Sequence, residues 1–175
     1  MRLHRGSSTR WCLVSALVAA FSAGMVGQSA AASPERADHV LVIKHEHILQ
    51  LTRDGRVLKE YKIALGESPV GPKTQQGDHK TPEGQYVLDS RNSKSQFYKS
   101  LHISYPTSDQ RMAARQRGLS PGGDVFVHGL PNGYRAIGAA HRLRDWTDGC
   151  IAVTDEEMDE IWLAVPPGTP IEIRP

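Results

Sequence analysis

From Val40 to Tyr105 the apolar residues come in short runs, each closed by turn-forming residues. Val40-Leu41-Val42-Ile43, Ile48 to Thr52 and Val57 to Leu65 have strand length and β-branched content. Between the second and third runs stands Arg53-Asp54-Gly55-Arg56. Asp-Gly at that place predicts a tight hairpin, because the turn needs positive φ. A loop rich in Gly, Pro, Gln and Lys spans 66–80, and the turn Thr81-Pro82-Glu83-Gly84 opens into Gln85-Tyr86-Val87-Leu88. The polar stretch Asp89 to Lys99 reads as a connection, and Leu101-His102-Ile103-Ser104-Tyr105 alternates like a half-buried strand. Two helices are expected. One covers about Asp109 to Arg117 and stops at Gly118. The other begins at Thr154, where Glu157 three residues on makes a capping box, and Met158, Ile161, Trp162 and Val165 form one apolar stripe up to Pro166-Pro167. Ile171-Glu172-Ile173 closes the chain as a strand. The pattern predicts one mainly β domain with added helices, an α+β fold.

The first 32 residues read differently. Arg2, Arg5 and Arg10 precede an apolar run from about Trp11 to Val26, and Ser29-Ala30-Ala31-Ala32 follows. Basic start, apolar middle and small-residue exit make a secretory signal. The run is short for a membrane span, so no span is expected after cleavage. Residues 33–38 are then a short exposed lead-in. Losing residues 1–32 removes three arginines and no acid, which turns the net charge of +2 into −1. The basic character belongs to the leader, and no basic stripe argues for nucleic acid.

Cleavage also removes Cys12, leaving Cys150 as the one cysteine of an exported chain. In an oxidising space cysteines usually pair. A lone one is either a small buried apolar residue or a retained reactive thiol. Its surroundings favour the thiol. Val125-Phe126-Val127-His128-Gly129 is a short strand ending in His, and Asp145-Trp146-Thr147-Asp148-Gly149-Cys150-Ile151 is a glycine turn leading to Cys. A thiol with pKa about 8.5 needs a base to attack at neutral pH, and imidazole is the natural one. Spacing alone does not prove that the two meet.

These segments resemble the L,D-transpeptidase catalytic domain, the YkuD-like family of bacterial wall enzymes. That family pairs a His-Gly with a later Ser/Thr-His-Gly-Cys, matched here by His128-Gly129 and Thr147-Asp148-Gly149-Cys150. The likeness runs over about residues 39–174 and takes in GDHKTPEGQY at 77–86, SYP at 104–106 and GGDVFVHG at 122–129. It implies a β-sandwich catalytic domain in the periplasm or cell envelope. Cys150 would be the nucleophile, His128 the base, the Gly129 carbonyl its orienting partner, and the Gly149 and Cys150 amides the oxyanion donors. The implied substrate is a peptidoglycan stem peptide, attacked at diaminopimelate with loss of D-Ala through a thioester. Carbapenems would be covalent inhibitors, a wall-linked lipoprotein a further partner, and no metal or cofactor is needed.

Two positions depart from the family. Its second His is Asp148 here, and an Arg common two residues after Cys is Ala152. Asp148 is expected to meet a substrate amine or a neighbouring arginine, Arg142 or Arg144. With Tyr105, these three are the candidate substrate contacts. The surrounding DWTDGCIAVTDEEMDEIW is closer to a YafK-like subgroup, so carboxypeptidase or amidase outcomes stand beside cross-linking. A non-catalytic wall-binding domain would have lost Cys or His. Histidines 45 and 47 suggest a polar strand edge rather than a metal pair. Trp146 reads equally as lid or core filler.

Overall fold

The computed structural model describes residues 35–175, so the leader expected at residues 1–32 lies outside the described residues. Eight strands are present: β1 (His39–Ile43), β2 (Ile48–Arg53), β3 (Arg56–Lys62), β4 (Gly84–Ser95), β5 (Tyr98–Ile103), β6 (Val125–His128), β7 (Ile151–Ala152) and β8 (Thr169–Arg174). Two α-helices, α1 (Ser108–Gln116) and α2 (Asp155–Ala164), join them, with a 3-10 segment at Arg135–Leu143 kinked at Gly138. The fold class is the expected one, mainly β with added helices.

The strands hydrogen-bond in the order β3-β2-β1-β8-β4-β5-β6-β7. The pairs β1–β8 and β6–β7 are parallel, and the rest antiparallel. The β2–β3 turn has Asp54 at φ 50 and Gly55 at φ 76, the positive-φ pair the Asp-Gly signal predicts. Beyond β3 the chain turns back to the far edge. Ala64 exchanges both backbone hydrogen bonds with Ala152 of β7, at 3.0 and 2.9 Å, and Gly66 bridges Thr147. The two edges are thereby joined, and the sheet closes on itself around the inward residues of its strands. Val40, Val42, Leu49, Leu51, Leu88, Leu101, Ile103, Val127, Ile151 and Ile171 are all buried there.

Helix α2 starts as its sequence predicts. Thr154 Oγ1 accepts the Glu157 amide at 3.3 Å, and the Glu157 carboxylate accepts the Thr154 amide at 2.9 Å. Its buried face is Met158, Ile161 and Ala164, with Trp162 at the margin under the Arg91 guanidinium, 3.9 Å from the ring centre. One expectation fails. Residues 89–99 are not a connection but the outer half of a long β4–β5 ribbon. Register shifts after Leu88 and Asn92 turn that ribbon off the core, and Asp89, Ser90, Asn92 and Lys94 are exposed. With no buried face there is no alternation to read. His45 and His47 also leave the expected strand edge, since residues 44–47 form a turn.

Candidate active site

The pairing of β6 with β7 brings His128 and Cys150 to one cavity. His128 ends β6, Cys150 precedes β7, and the parallel β6–β7 pair sets Val127 beside Ile151 and His128 beside Ala152. Both side chains line one cavity of about 410 Å³, with Phe97, Phe126, Trp146 and Thr147. Phe97 and Trp146 flank the imidazole, their ring centres 4.6 and 5.8 Å from it. Trp146 is therefore a wall of the site.

His128 is buried, and its Nδ1 lies 2.6 Å from the Gly129 carbonyl oxygen. A carbonyl only accepts, so Nδ1 carries the proton and Nε2 is left with its lone pair. Burial pushes the His128 pKa down to about 4; the Gly129 bond opposes this and His141 adds to it. Cys150 is pushed up to about 11, chiefly by burial. A backbone hydrogen bond from Phe126 lowers it, Asp148 raises it, Lys73 lowers it and Asp124 raises it. The thiol donates to the Asp124 carbonyl at 3.8 Å. The cavity thus holds a neutral thiol and a neutral imidazole.

The turn before Cys150 is locked by Thr147. Its hydroxyl donates to the Cys150 carbonyl at 2.7 Å and accepts the Gly149 amide at 3.1 Å. The Gly149 N–H, expected as an oxyanion donor, is therefore engaged. Gly149 has φ 127, and a Cβ on it would lie 2.4 Å from the Lys80 carbonyl oxygen. No other residue fits that approach.

On its other side Cys150 borders a second cleft of about 620 Å³, lined by Lys73, His79, Gly122, Asp124 and Asp148 among others. Here the structure supplies what sequence reasoning missed. Asp148 meets neither Arg142 nor Arg144; His79 Nδ1 lies 2.7 Å from its Oδ1. His79 comes from the 66–80 loop, held by Ser68 N–H on its carbonyl at 3.0 Å. Lys73 is a buried ammonium in the cleft wall, paired with Asp78 at 2.8 Å. The other expected contacts lie elsewhere. Arg142 pairs with Glu157 of α2. Arg144 lines a separate cavity with Leu130, Ile137 and His141. Tyr105 is buried, and its hydroxyl donates to the Pro121 carbonyl at 2.9 Å. Among the described residues no group of His, Cys, Asp and Glu could hold a metal ion.

The model of the family described as L,D-transpeptidase catalytic domain, YkuD, matches residues 37–173. The protein YafK of Escherichia coli strain K12 is 27% identical over 157 residues, which cover 80% of this chain and 56% of YafK. The chain thus spans little more than half the length of the curated relatives it matches. The helical cell shape determining protein Pgp2 of Campylobacter jejuni is 26% identical with a TM-score of 0.61, over 79% of this chain and 47% of Pgp2. An L,D-transpeptidase of Xylanimonas cellulosilytica, 17% identical over 79% of this chain and 61% of its own, shares the fold at a TM-score of 0.51.

Proposed function

The chain belongs to the YkuD family of L,D-transpeptidase catalytic domains, and on that premise we propose that it is an exported enzyme acting on peptidoglycan stem peptides through Cys150. The observation that carries the reading is the His128 ring, held by the Gly129 carbonyl at 2.6 Å in one cavity with Cys150. In the proposed reaction the thiol proton passes to His128 Nε2 as sulfur attacks the peptide carbonyl on the L-centre of diaminopimelate. Because burial disfavours either charge alone, transfer and attack run together. The tetrahedral oxyanion is met by the Cys150 amide, since Gly149 is bound to Thr147. Collapse breaks the carbon–nitrogen bond, His128 returns the proton to the leaving D-Ala amine, and a thioester remains. An amine or water then attacks the thioester and frees the thiol.

Cys150 lies in the wall between two clefts, so donor and acceptor can reach it from separate sides. The name of Pgp2 ties one relative to cell shape, and we place this chain's action in wall remodelling within the envelope, with residues 1–32 as its leader. The test is the chain without its leader on purified sacculi, with muropeptides read by mass spectrometry. The expected products are tripeptides that have lost D-Ala, or cross-linked dimers. Cys150→Ala should lose about three orders of magnitude or more in rate at an unchanged melting temperature. Undiminished turnover by that variant overturns the reading.

A further inference from the structure

One peptide group carries two of the shortest contacts around His128. The carbonyl of Gly129 accepts the His128 Nδ1–H at 2.6 Å. The amide of the same peptide, the N–H of Leu130, donates to Asp155 Oδ1 at 2.8 Å. Both bonds are buried, as are Leu130 and Asp155 themselves. Asp155 is the first residue of α2. Gly129 is what lets it approach, since a Cβ there would lie 2.7 Å from Asp155 Oδ1 and 3.0 Å from Tyr98 Cβ.

We propose that Asp155 is a positioning residue for the base, completing a Cys150–His128–Asp155 series in which the carboxylate acts through the Gly129–Leu130 peptide. The inference rests on the reading of His128 as base. A carboxylate on an amide N–H draws the amide toward its charge-separated form and places more negative charge on the carbonyl oxygen. Chains of hydrogen bonds strengthen one another in this way. The oxygen then holds the Nδ1 proton more firmly and favours the imidazolium formed when Nε2 takes the thiol proton. In a Ser-His-Asp site the carboxylate does this by touching the ring directly. Here it stands one peptide further back and does not touch the reacting atoms. The other groups around the ring do not replace it. His141 disfavours its charge, Cys150 lies on the cavity side, and Phe97 and Trp146 are neutral walls.

The decisive variant is Asp155→Asn, which keeps an oxygen acceptor for Leu130 N–H and removes the charge. Three readouts need no wall substrate: the melting temperature, the pH dependence of Cys150 alkylation by iodoacetamide, and the proton NMR line of His128 Nδ1–H. The expected result is a folded protein whose Nδ1–H line moves upfield and whose alkylation at pH 7 slows about tenfold, well below the loss of about four orders when a carboxylate in direct contact is neutralised. On stem peptides, kcat should fall by the same factor with KM unchanged. Asp155→Ala also strands the Leu130 amide and should unfold earlier. A wild-type Nδ1–H line and alkylation profile in Asp155→Asn overturn the proposal and leave Asp155 as a tie between α2 and the loop. A wild-type profile in His128→Ala would instead remove the base itself, so the two failures are distinct.

Discussion

Half-buried Cys150 and buried His128 are both held uncharged at neutral pH, chiefly because burial disfavours their charged forms, and the opposing pull of Lys73 on the thiol does not outweigh this. This differs from a thiolate–imidazolium pair and has a measurable signature. With the thiol near 11, alkylation should climb about tenfold per pH unit from pH 7 to about 10. A plateau below pH 8 would mean a preformed ion pair. Two neighbours move the thiol in opposite directions, and their removal should too. Asp148→Asn should raise the labelling rate at pH 8, and Lys73→Met should lower it. The Asp148 side chain is 90% exposed, so its effect should be small and should shrink with added salt. Like shifts from both substitutions would show that packing, not charge, sets the reactivity. That Cys150 and His128 share a cavity was foreseeable because Cys150 is the one cysteine outside the leader and both positions match a family motif, whereas the eight histidines alone would not have singled out His128. Asp155 and His79 were not legible in this way. Their partners lie 25 and 69 positions away, and nothing in an acidic helix start or a loop histidine announces a contact that only the tertiary fold creates.

At the scale of elements, the site is a place where three backbones meet with no side chain between them. Gly66 follows β3, Gly149 precedes β7, and residues 79–80 of the long loop cross both. A Cβ on Gly66 would lie 2.3 Å from the His79 carbonyl oxygen, as one on Gly149 would meet Lys80 at 2.4 Å. Gly149→Ala therefore combines a backbone clash with a disfavoured φ and should cost about 2–4 kcal/mol by urea unfolding. Gly55→Ala in the first hairpin has positive φ but open space around it, and should cost about 1–2 kcal/mol. Equal losses at both would deny the seam any special role. The hairpin glycine was readable beforehand because its turn is local, and so were the caps and stripe of α2. Gly149 looked like freedom for a turn; its other duty, admitting Lys80, depends on a segment 69 residues earlier. The ribbon of β4 and β5 and the 3-10 segment at Arg135–Leu143 escaped for a related reason. The ribbon projects from the core, so its residues do not carry the periodicity that burial on one face imprints, and the 3-10 segment is broken by its kink at Gly138.

At the scale of the whole molecule, the domain keeps two histidines buried and neutral, and this sets its behaviour in acid. His128 and His141 are both held near 4, each mainly by burial, with nearby Arg142 further opposing charge on His141. Unfolded, each returns to about 6.5. Between those values the unfolded chain binds more protons than the folded one, so stability rises with pH. Their contribution is complete above about 6.5 and is lost as pH falls toward 4. The two together give a slope of up to about 2.7 kcal/mol per pH unit in the middle of that window. Asp78 acts later. Burial alone would raise its pKa, but Lys73 and the amides of Thr74, Gln75 and Lys80 outweigh it and hold it at about 2. Its contribution is therefore lost only below about 3.8, and the two windows do not overlap. Urea midpoints from pH 7 to pH 4.5 should fall steeply in the parent protein. They should fall about half as steeply in His141→Gln, a substitution outside the reacting pair. His128→Gln should halve the slope in the same way while also removing activity. If the slope survives in both variants, the acid response belongs to carboxylates, and the uncharged imidazole on which the proposed proton transfer depends would have to be given up with it.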